Sequence, residues 1–385
     1  MKWMYRLVVA LVTIALLIGL VYVSPYQYLI KGVKLTYLQG EKSAHFTDWY
    51  GFETREVTNG QEGVIAIAEN AHNTELSEPL LNMLTKTRSG SYLVFRNDTL
   101  ICEKYFNGFT DTHRTNSFSM AKTVTTLMVQ KSIELGYIDG WDVKVKSLLP
   151  WLQGEYAKEL TLRHLTTMTS GLKWNENYLS PFGITAEAYY TDNIEGVMRS
   201  LPIEKKPGQK WQYQSGSTQL LSLALREALK NPSKGLPAFE HISEFASEYI
   251  WQPLGMEAPA RWSLDHENGT ELGFCCLNAV SRDFGRLGLW VLNHGTFESA
   301  SLDSSFLAQA QLGYKDERYG HSFWISNKTE VPFTYFQGLG GQYICMIPSK
   351  NMVVVRTGNG IVFDESLIFK DVKLYVAEAV RLFNK

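Results

Sequence analysis

The chain has 385 residues, a formal net charge of −2 and 20% charged residues. This length allows one large domain or two modest ones. The near-neutral charge gives no electrostatic case for nucleic-acid binding, so we expect no nucleic-acid partner. Hydrophobic residues make up 45% of the chain, an ordinary share for a globular fold.

Residues 1–24 are predicted to form a membrane anchor. Lys2 and Arg6 precede an uncharged run, LVVALVTIALLIGLVYV, from Leu7 to Val23. This run is longer than a typical signal-peptide core and about long enough, with its flanks, to span a bilayer. The residues around Tyr22 to Ser24 fit a signal-cleavage site poorly, so an uncleaved anchor is favoured over a secreted protein with a cleaved signal peptide. The basic residues before the run favour a cytoplasmic start, which places the remainder in the periplasm or outside the cell.

The rest of the chain is predicted to divide into a stalk or linker, residues 25–60, and one globular domain, residues 61–385. The segment 25–60 is polar, aromatic and weakly periodic. Near the start of the domain, the stretch from Gly90 to Phe106 alternates around Asn97-Asp98, which predicts a β-hairpin.

Helical patterns fill the middle of the domain, and strand patterns return near its end. The helical region runs from Trp141 to about Pro259, and one further helical pattern ends at Gly295. Strand-like runs follow in YGHSFWISN, FTYFQGLGGQYICMIP and NMVVVRTGNG, and DESLIFKDVKLYVAEAVRLFNK closes the chain as a helix. This order predicts an α+β fold: one antiparallel sheet built from both chain ends, flanked by helices, with an inserted, mainly helical region.

The four cysteines do not suggest a disulfide framework. Cys275 and Cys276 are adjacent, so a bond between them is not expected without strain. Cys102 and Cys345 fall in apparent strands, where a buried thiol acts as a small hydrophobic group. The chain has neither a CxxC pair nor an HExxH sequence, so no metal site is predicted.

Ser119 and Lys122 form an S-x-x-K sequence at the start of a predicted helix that ends at Gly136. Residues three apart lie on one helix face, so the Lys122 side chain can reach the Ser119 hydroxyl. A serine needs a base to become a nucleophile, and lysine can be that base only if its pKa falls well below about 10.4. On this motif alone, a capping serine and a solvent-facing lysine are the favoured interpretation. A second S-x-x-K, from Ser170 to Lys173, contains Gly171 and is predicted to be a turn.

Two further stretches change that balance. Tyr213-Gln214-Ser215 directly precedes a second predicted helix, where the phenol can act as a proton shuttle or simply pack at the junction. Gly338, Gly340 and Gly341 stand at the head of a strand. Glycines allow a substrate carbonyl to approach backbone N–H groups, as an oxyanion hole requires, although a bulge or tight turn also uses them.

Taken in this order, these pieces resemble the serine β-lactamase and penicillin-binding-protein superfamily. They are most similar to the class C β-lactamase-related serine hydrolases, including 6-aminohexanoate-dimer hydrolases and related esterases. The resemblance covers roughly Ser91 to Arg381. It rests on nine ordered blocks: LVFRNDTLICEKYFNG, SFSMAKTVTTLMV, LGYIDGWDVKVKSLLPWL, LTLRHLTTMTSGLKW, PGQKWQYQSGSTQLL, WQPLGME, SRDFGRLGLWVLNHG, YGHSFWI and GLGGQYICMIPSKNMVVVR.

The resemblance implies a role for each matching position. Ser119 matches the nucleophile, Lys122 the lysine of S-x-x-K, and Tyr213 the tyrosine of Y-x-N that acts as general base and then acid. The third motif, K-T-G or H-x-G, aligns with Phe336-Gln337-Gly338. The implied oxyanion hole is the backbone N–H of Ser119 and of Leu339, and the implied substrate-binding positions are Ser215, Gly338 and Gly340.

The implied function is hydrolysis of a small ester or amide through an acyl-enzyme on Ser119, with no metal or organic cofactor. Two departures from the family pattern matter. Ser215 replaces the asparagine of Y-x-N, as in the amidase and esterase branch. Phe336 replaces the third-motif lysine that helps hold a substrate carboxylate, which weakens the alternative of a D,D-peptidase or a class C-type β-lactamase. A non-catalytic binding protein that retains the fold is the alternative from another class, and the complete set of Ser119, Lys122 and Tyr213 argues against it.

Overall fold

A computed structural model of the chain describes residues 2–232, 235–362 and 370–383. Within these ranges the helices are α1 (Lys2–Tyr22), α2 (Tyr28–Leu35), α3 (Glu78–Lys86), α4 (Met120–Glu134), α5 (Val145–Leu148), α6 (Leu162–Thr166), α7 (Ile184–Tyr190), α8 (Ile194–Arg199), α9 (Ser215–Lys230), α10 (Ile242–Ala246), α11 (Ser281–Leu292), α12 (Ser304–Ala310) and α13 (Lys370–Phe383). The strands are β1 (Thr54–Val57), β2 (Ala66–Ile67), β3 (Ser89–Arg96), β4 (Thr99–Tyr105), β5 (Thr115–Asn116), β6 (Ala260–Ser263), β7 (Leu277–Ala279), β8 (Thr296–Phe297), β9 (Ala300–Ser301), β10 (Trp324–Ser326), β11 (Phe333–Gly338), β12 (Gln342–Ile347) and β13 (Met352–Gly358).

The main sheet joins the two ends of the globular part. Its strand order is β10-β11-β12-β13-β3-β4-β2, and every pairing from β10 to β4 is antiparallel. Only the short β2 at the edge runs parallel to its neighbour. The predicted hairpin is β3-β4, and Asn97 and Asp98 in its turn have φ values of 48° and 58°, which suit a type I′ turn. The prediction of an α+β fold with a sheet built from both chain ends is therefore confirmed.

The two faces of this sheet pack against different helices. Alternate residues of a strand point to opposite faces, and Leu93 and Phe95 of β3 lie in the core cluster that contains α4 and α11. Tyr92 and Val94 lie in the second cluster, with α3 and α13. The helix α4, which starts at the predicted nucleophile, is thus held between the sheet and the helical region of residues 141–259. The predicted closing helix corresponds to α13, and its expected first turns, residues 364–369, lie outside the described residues.

The segment predicted as a stalk, residues 25–60, packs against the globular body instead. Strand β1 pairs with β6 in a second, four-stranded sheet of order β1-β6-β7-β5. Leu35, Phe46, Phe52 and Val57 are buried in the main core cluster. The stalk prediction failed because these apolar residues are spaced irregularly, so their burial depends on partners far away in the chain.

Helix α1 has no buried residue. By length and composition it is able to cross a membrane, a property it shares with signal sequences near an N-terminus. A tight turn, residues 23–27, joins it to α2, which packs on α7.

Candidate active site

Ser119 occupies the cap position of α4 and remains partly exposed. The backbone just before it is tightly constrained: Phe118 has a φ of 44°, and its N–H donates to the side-chain oxygen of Asn116 at 2.8 Å. The Ser119 side chain makes no capping hydrogen bond. The interpretation of Ser119 as a simple capping serine is therefore wrong.

Lys122 points from the first turn of α4 into the protein, not into solvent, and is only 1% exposed. Its Nζ donates to Ser119 Oγ at 2.8 Å and to the Phe274 carbonyl at 2.9 Å. The rings of Tyr213 and Phe274 lie 5.3 Å and 5.5 Å from the same nitrogen. Burial lowers the pKa of Lys122 from 10.5 to about 8, although the negative charge of Glu176 opposes the shift. A lysine in this environment is available as a base near neutral pH.

Tyr213 lies just before α9 and completes the cluster around Ser119. Burial raises its pKa well above 10, the charge of Glu176 adds to the effect, and a hydrogen bond with the Ser119 side chain acts in the opposite direction. The ring packs edge-on against Tyr319, with the centroids 5.9 Å apart, and lies 5.5 Å from Trp324. The structure therefore brings Ser119, Lys122 and Tyr213 together, as the sequence predicted.

Glu176 is a member of the site that sequence reasoning did not assign. Its carboxylate accepts hydrogen bonds from Trp174 Nε1 at 2.6 Å, from the Tyr178 hydroxyl at 2.6 Å, and from both the N–H and the hydroxyl of Ser215 at 2.7 Å. Ser215 is the first residue of α9, so the carboxylate also lies at the positive end of that helix. The alternation in Trp174-Asn175-Glu176-Asn177-Tyr178 is the sequence signal that places these three side chains on one side of an extended chain. Ser215 is predicted to bind substrate, but in the structure its hydroxyl donates to Glu176.

The turn predicted to form the oxyanion hole, residues 338–341, follows β11 and lies against the residues that precede Ser119. A Cβ added to Gly338 would lie 2.2 Å from the Ser117 carbonyl oxygen and 3.0 Å from Gln342 Cβ. Only glycine permits this approach, which brings the turn beside the start of α4. Among the described residues, no group accepts a hydrogen bond from the N–H of Ser119 or of Leu339. Both predicted donors are thus unused.

Two buried side chains fix the conformation of this turn. Gln342 donates from Nε2 to the carbonyls of Leu339 at 2.8 Å and Gly358 at 2.6 Å. Arg356 is fully buried and donates from Nη1 to the carbonyls of Gly340 at 2.9 Å and Gly341 at 2.7 Å. Gly340, predicted to contact substrate, therefore has its carbonyl turned towards Arg356.

Cys275 and Cys276 form a disulfide bond, contrary to the expectation that neighbouring cysteines would remain unpaired. Cys276 has a φ of 72°, so the backbone bends sharply at this point. The expectation followed from the extended geometry of ordinary neighbouring residues, and a left-handed residue departs from it. Phe274, whose carbonyl accepts from Lys122, directly precedes this bond. Cys102 and Cys345 are free and buried in their strands, as predicted.

Three solved structures with this architecture share little sequence with the chain. A Bacillus anthracis protein proposed to be a 6-aminohexanoate-dimer hydrolase is 21% identical, with a TM-score of 0.71 over 94% of both chains. A penicillin-binding protein from Bacillus halodurans is 15% identical, with a TM-score of 0.59 over 79% of this chain and 100% of that one. A family VIII carboxylesterase is 13% identical, with a TM-score of 0.56 over 80% and 99%. No curated protein sequence matches the chain.

These likenesses establish the fold, and a sequence-family model establishes the family. The Beta-lactamase family model matches residues 82–365, well over half of the 385 residues. The matched range contains the two sheet-forming segments, the helical region between them, and every predicted catalytic residue. The chain belongs to the Beta-lactamase family, within the serine β-lactamase-related superfamily.

Proposed function

We propose that the protein hydrolyses an ester or amide bond through an acyl-enzyme on Ser119. The observation that carries this proposal is the hydrogen bond of 2.8 Å from the buried Lys122 Nζ to Ser119 Oγ. A capping serine has no need of a buried lysine, and a structural lysine is rarely buried without an anionic partner in contact. Perturbed groups clustered around a partly exposed hydroxyl are typical of a catalytic site.

In the first step, neutral Lys122, assisted by Tyr213, accepts the Ser119 proton while Oγ bonds to the substrate carbonyl carbon. The N–H groups of Ser119 and Leu339 donate to the oxyanion of the tetrahedral intermediate. The proton then passes through Tyr213 to the leaving alcohol or amine as its bond to carbon breaks. In the second step, water gives a proton to the same base as its oxygen bonds to the acyl carbon. The bond between the acyl carbon and Oγ then breaks, the base returns the proton to Oγ, and the acid is released.

A carboxylate-bearing β-lactam or D-Ala-D-Ala substrate is less favoured than a simple ester or amide. Phe336 stands where the family lysine would help hold such a carboxylate, and it is fully buried, 5.4 Å from the Phe323 ring centroid. Turnover of a chromogenic cephalosporin by the purified protein would favour the D,D-peptidase or β-lactamase alternative.

We further propose that α1 anchors the protein and that the catalytic domain lies in the periplasm or outside the cell. The exposed apolar surface of α1 and the basic residues Lys2 and Arg6 support this orientation. N-terminal sequencing of the protein in the membrane fraction tests whether α1 is retained as an anchor, because a cleaved signal peptide would leave a shorter chain.

A fluorophosphonate probe tests the nucleophile. We expect the wild type to be labelled and Ser119→Ala to be unlabelled. Ser170→Ala, in the other S-x-x-K sequence, is the matched control and should label like the wild type. Equal labelling of wild type and Ser119→Ala would refute the proposal, and no labelling by any acylating probe would favour a non-catalytic binding protein.

A further inference from the structure

An exposed apolar patch lies beside the site, formed by Tyr26, Tyr178, Leu179 and Phe182. Leu179 is 95% exposed, Phe182 64% and Tyr178 50%. The Tyr26 and Phe182 rings meet edge-on with their centroids 5.6 Å apart, so the patch joins two segments that are distant in sequence. Contiguous exposed apolar groups of this kind mark an interaction surface.

The apolar patch is attached to the end of α1. The Tyr28 hydroxyl donates to the Pro181 carbonyl at 3.1 Å, which fixes the loop that carries the patch. Only residues 23–27 separate this contact from the last residue of α1, and five residues span at most about 18 Å when fully extended. Lys31 holds α2 on the globular body, since its Nζ donates to the Asp265 carbonyl at 2.8 Å and lies 3.2 Å from the Asp192 carboxylate.

The apolar patch is also attached to the catalytic cluster. Tyr178 belongs to the patch, yet its hydroxyl donates to Glu176, the carboxylate that binds the start of α9. The charge of Glu176 acts on both Lys122 and Tyr213. Glu176 therefore links the patch to Ser215, which begins α9 two residues after Tyr213.

We propose that the apolar patch lies in the headgroup region of the bilayer that holds α1, and that the substrate is an ester- or amide-bearing amphiphile resident in that membrane. The unburied apolar surface of α1 needs a hydrocarbon environment, and α1 ends within a short turn of the patch. Tyr26 and Tyr178 are of the type found in aromatic belts at membrane–water interfaces, and Leu179 and Phe182 are of the type that interfacial segments bury. The proposal requires that a lipid presented at the patch reach Ser119 without leaving the membrane. This substrate class rests on the proposed serine hydrolase function.

The location of the patch is tested with the full chain in phospholipid vesicles. Leu179→Cys carries an environment-sensitive fluorophore, and Leu81→Cys is the matched control, an exposed leucine of α3 on the opposite sheet face. Wild type serves as the labelling blank because Cys102 and Cys345 are buried. Lipids with a quencher near the headgroup should quench the label at 179 and not the label at 81. Equal quenching at both sites, or none at 179, would overturn the proposal.

The substrate class is tested with two esters that share one leaving group: p-nitrophenyl acetate in water and p-nitrophenyl palmitate in vesicles. Leu179→Ser/Phe182→Ser should lose about tenfold or more in kcat/KM on the vesicle ester, since it removes two groups from the interface, and keep its rate on acetate within about twofold. Leu81→Ser should match the wild type on both. Equal rates of the double variant and the wild type on the vesicle ester would overturn the membrane substrate alone. If the wild type hydrolysed neither ester, both the membrane substrate and the proposed hydrolase function would be overturned.

Discussion

Replacing Gly338 by alanine tests whether the turn after β11 forms the oxyanion hole. The new Cβ would lie 2.2 Å from the Ser117 carbonyl oxygen, whereas real Cβ atoms essentially never come within 3.0 Å of such an atom. The backbone at residue 338 and the backbone at Ser117 must therefore move apart by at least 0.8 Å, the difference between these two distances. Ser117 lies two residues before Ser119, the proposed nucleophile, so we expect the separation also to move the Leu339 N–H away from Ser119.

The expected effect follows from this displacement. A misplacement of about 1 Å in a catalytic group costs about 10²-fold in rate. Loss of one oxyanion-hole donor costs about 10²- to 10³-fold in kcat. We therefore expect Gly338→Ala to lower kcat by about 10²-fold. The Lys122–Ser119 hydrogen bond is formed between α4 and its cap residue, so the pH at which activity rises should not change.

The assay measures kcat for a p-nitrophenyl ester across pH, together with urea unfolding to establish that the variant folds. Gly183→Ala is the matched control, because its added Cβ would meet its nearest atom, the Ser180 carbonyl oxygen, at an ordinary 3.4 Å. Wild-type kcat in a folded Gly338→Ala protein would refute the assignment of this turn as an oxyanion hole. A lower kcat with a shifted pH midpoint would instead indicate that the lysine environment had changed.

Three other changes probe the remaining parts of the site. Because Lys122 acts as a base only when neutral, kcat/KM should fall about tenfold per pH unit below its pKa of about 8, and an unchanged rate down to pH 6 would contradict this role. Tyr213→Phe should lower kcat/KM by about 10²- to 10⁴-fold in the same ester assay, while fluorophosphonate labelling of Ser119 becomes slower without being abolished. Arg356→Lys removes some of the hydrogen bonds to the carbonyls of Gly340 and Gly341. The free energy of unfolding measured in urea should therefore fall by about 1–3 kcal/mol for each buried hydrogen bond that is not remade.

Features that depend on local sequence were predictable. Asn97-Asp98 supplies the turn of β3-β4, and the apolar spacing after Ser119 supplies α4, because each pattern lies within one short segment. The proximity of Lys122 to Ser119 also follows from helical spacing. The burial of Lys122 does not, since the rings and the carbonyl around it come from residues 213 and 274.

Features that depend on distant partners were missed. Glu176 is one acidic residue among many in the sequence, and its importance appears only when Ser215, thirty-nine residues later, donates to it from both backbone and side chain. The same reason explains the incorrect stalk, where Val57 is buried because β1 pairs with β6 about two hundred residues away. Pattern reasoning therefore identified Ser119, the proposed nucleophile, and did not identify the residues that position its neighbours.

The burial of Lys122 is hard to explain by stability alone. Its pKa falls from 10.5 in the unfolded chain to about 8 in the folded protein. Below pH 8, where Lys122 is protonated in both states, this shift lowers the free energy of unfolding by about 3 kcal/mol. Between pH 8 and 10.5 the unfolded state binds more protons, so the unfolding free energy should rise with pH across that window. A cost of this size is a large fraction of the roughly 5–15 kcal/mol by which proteins are stable.

Lys122→Met should therefore flatten the rise of the unfolding free energy above pH 8 and abolish ester hydrolysis. Lys173→Met, at an exposed lysine, should do neither. A buried methionine that left the pH dependence of unfolding unchanged would show that Lys122 is charged in the folded protein, and a charged lysine cannot accept the Ser119 proton.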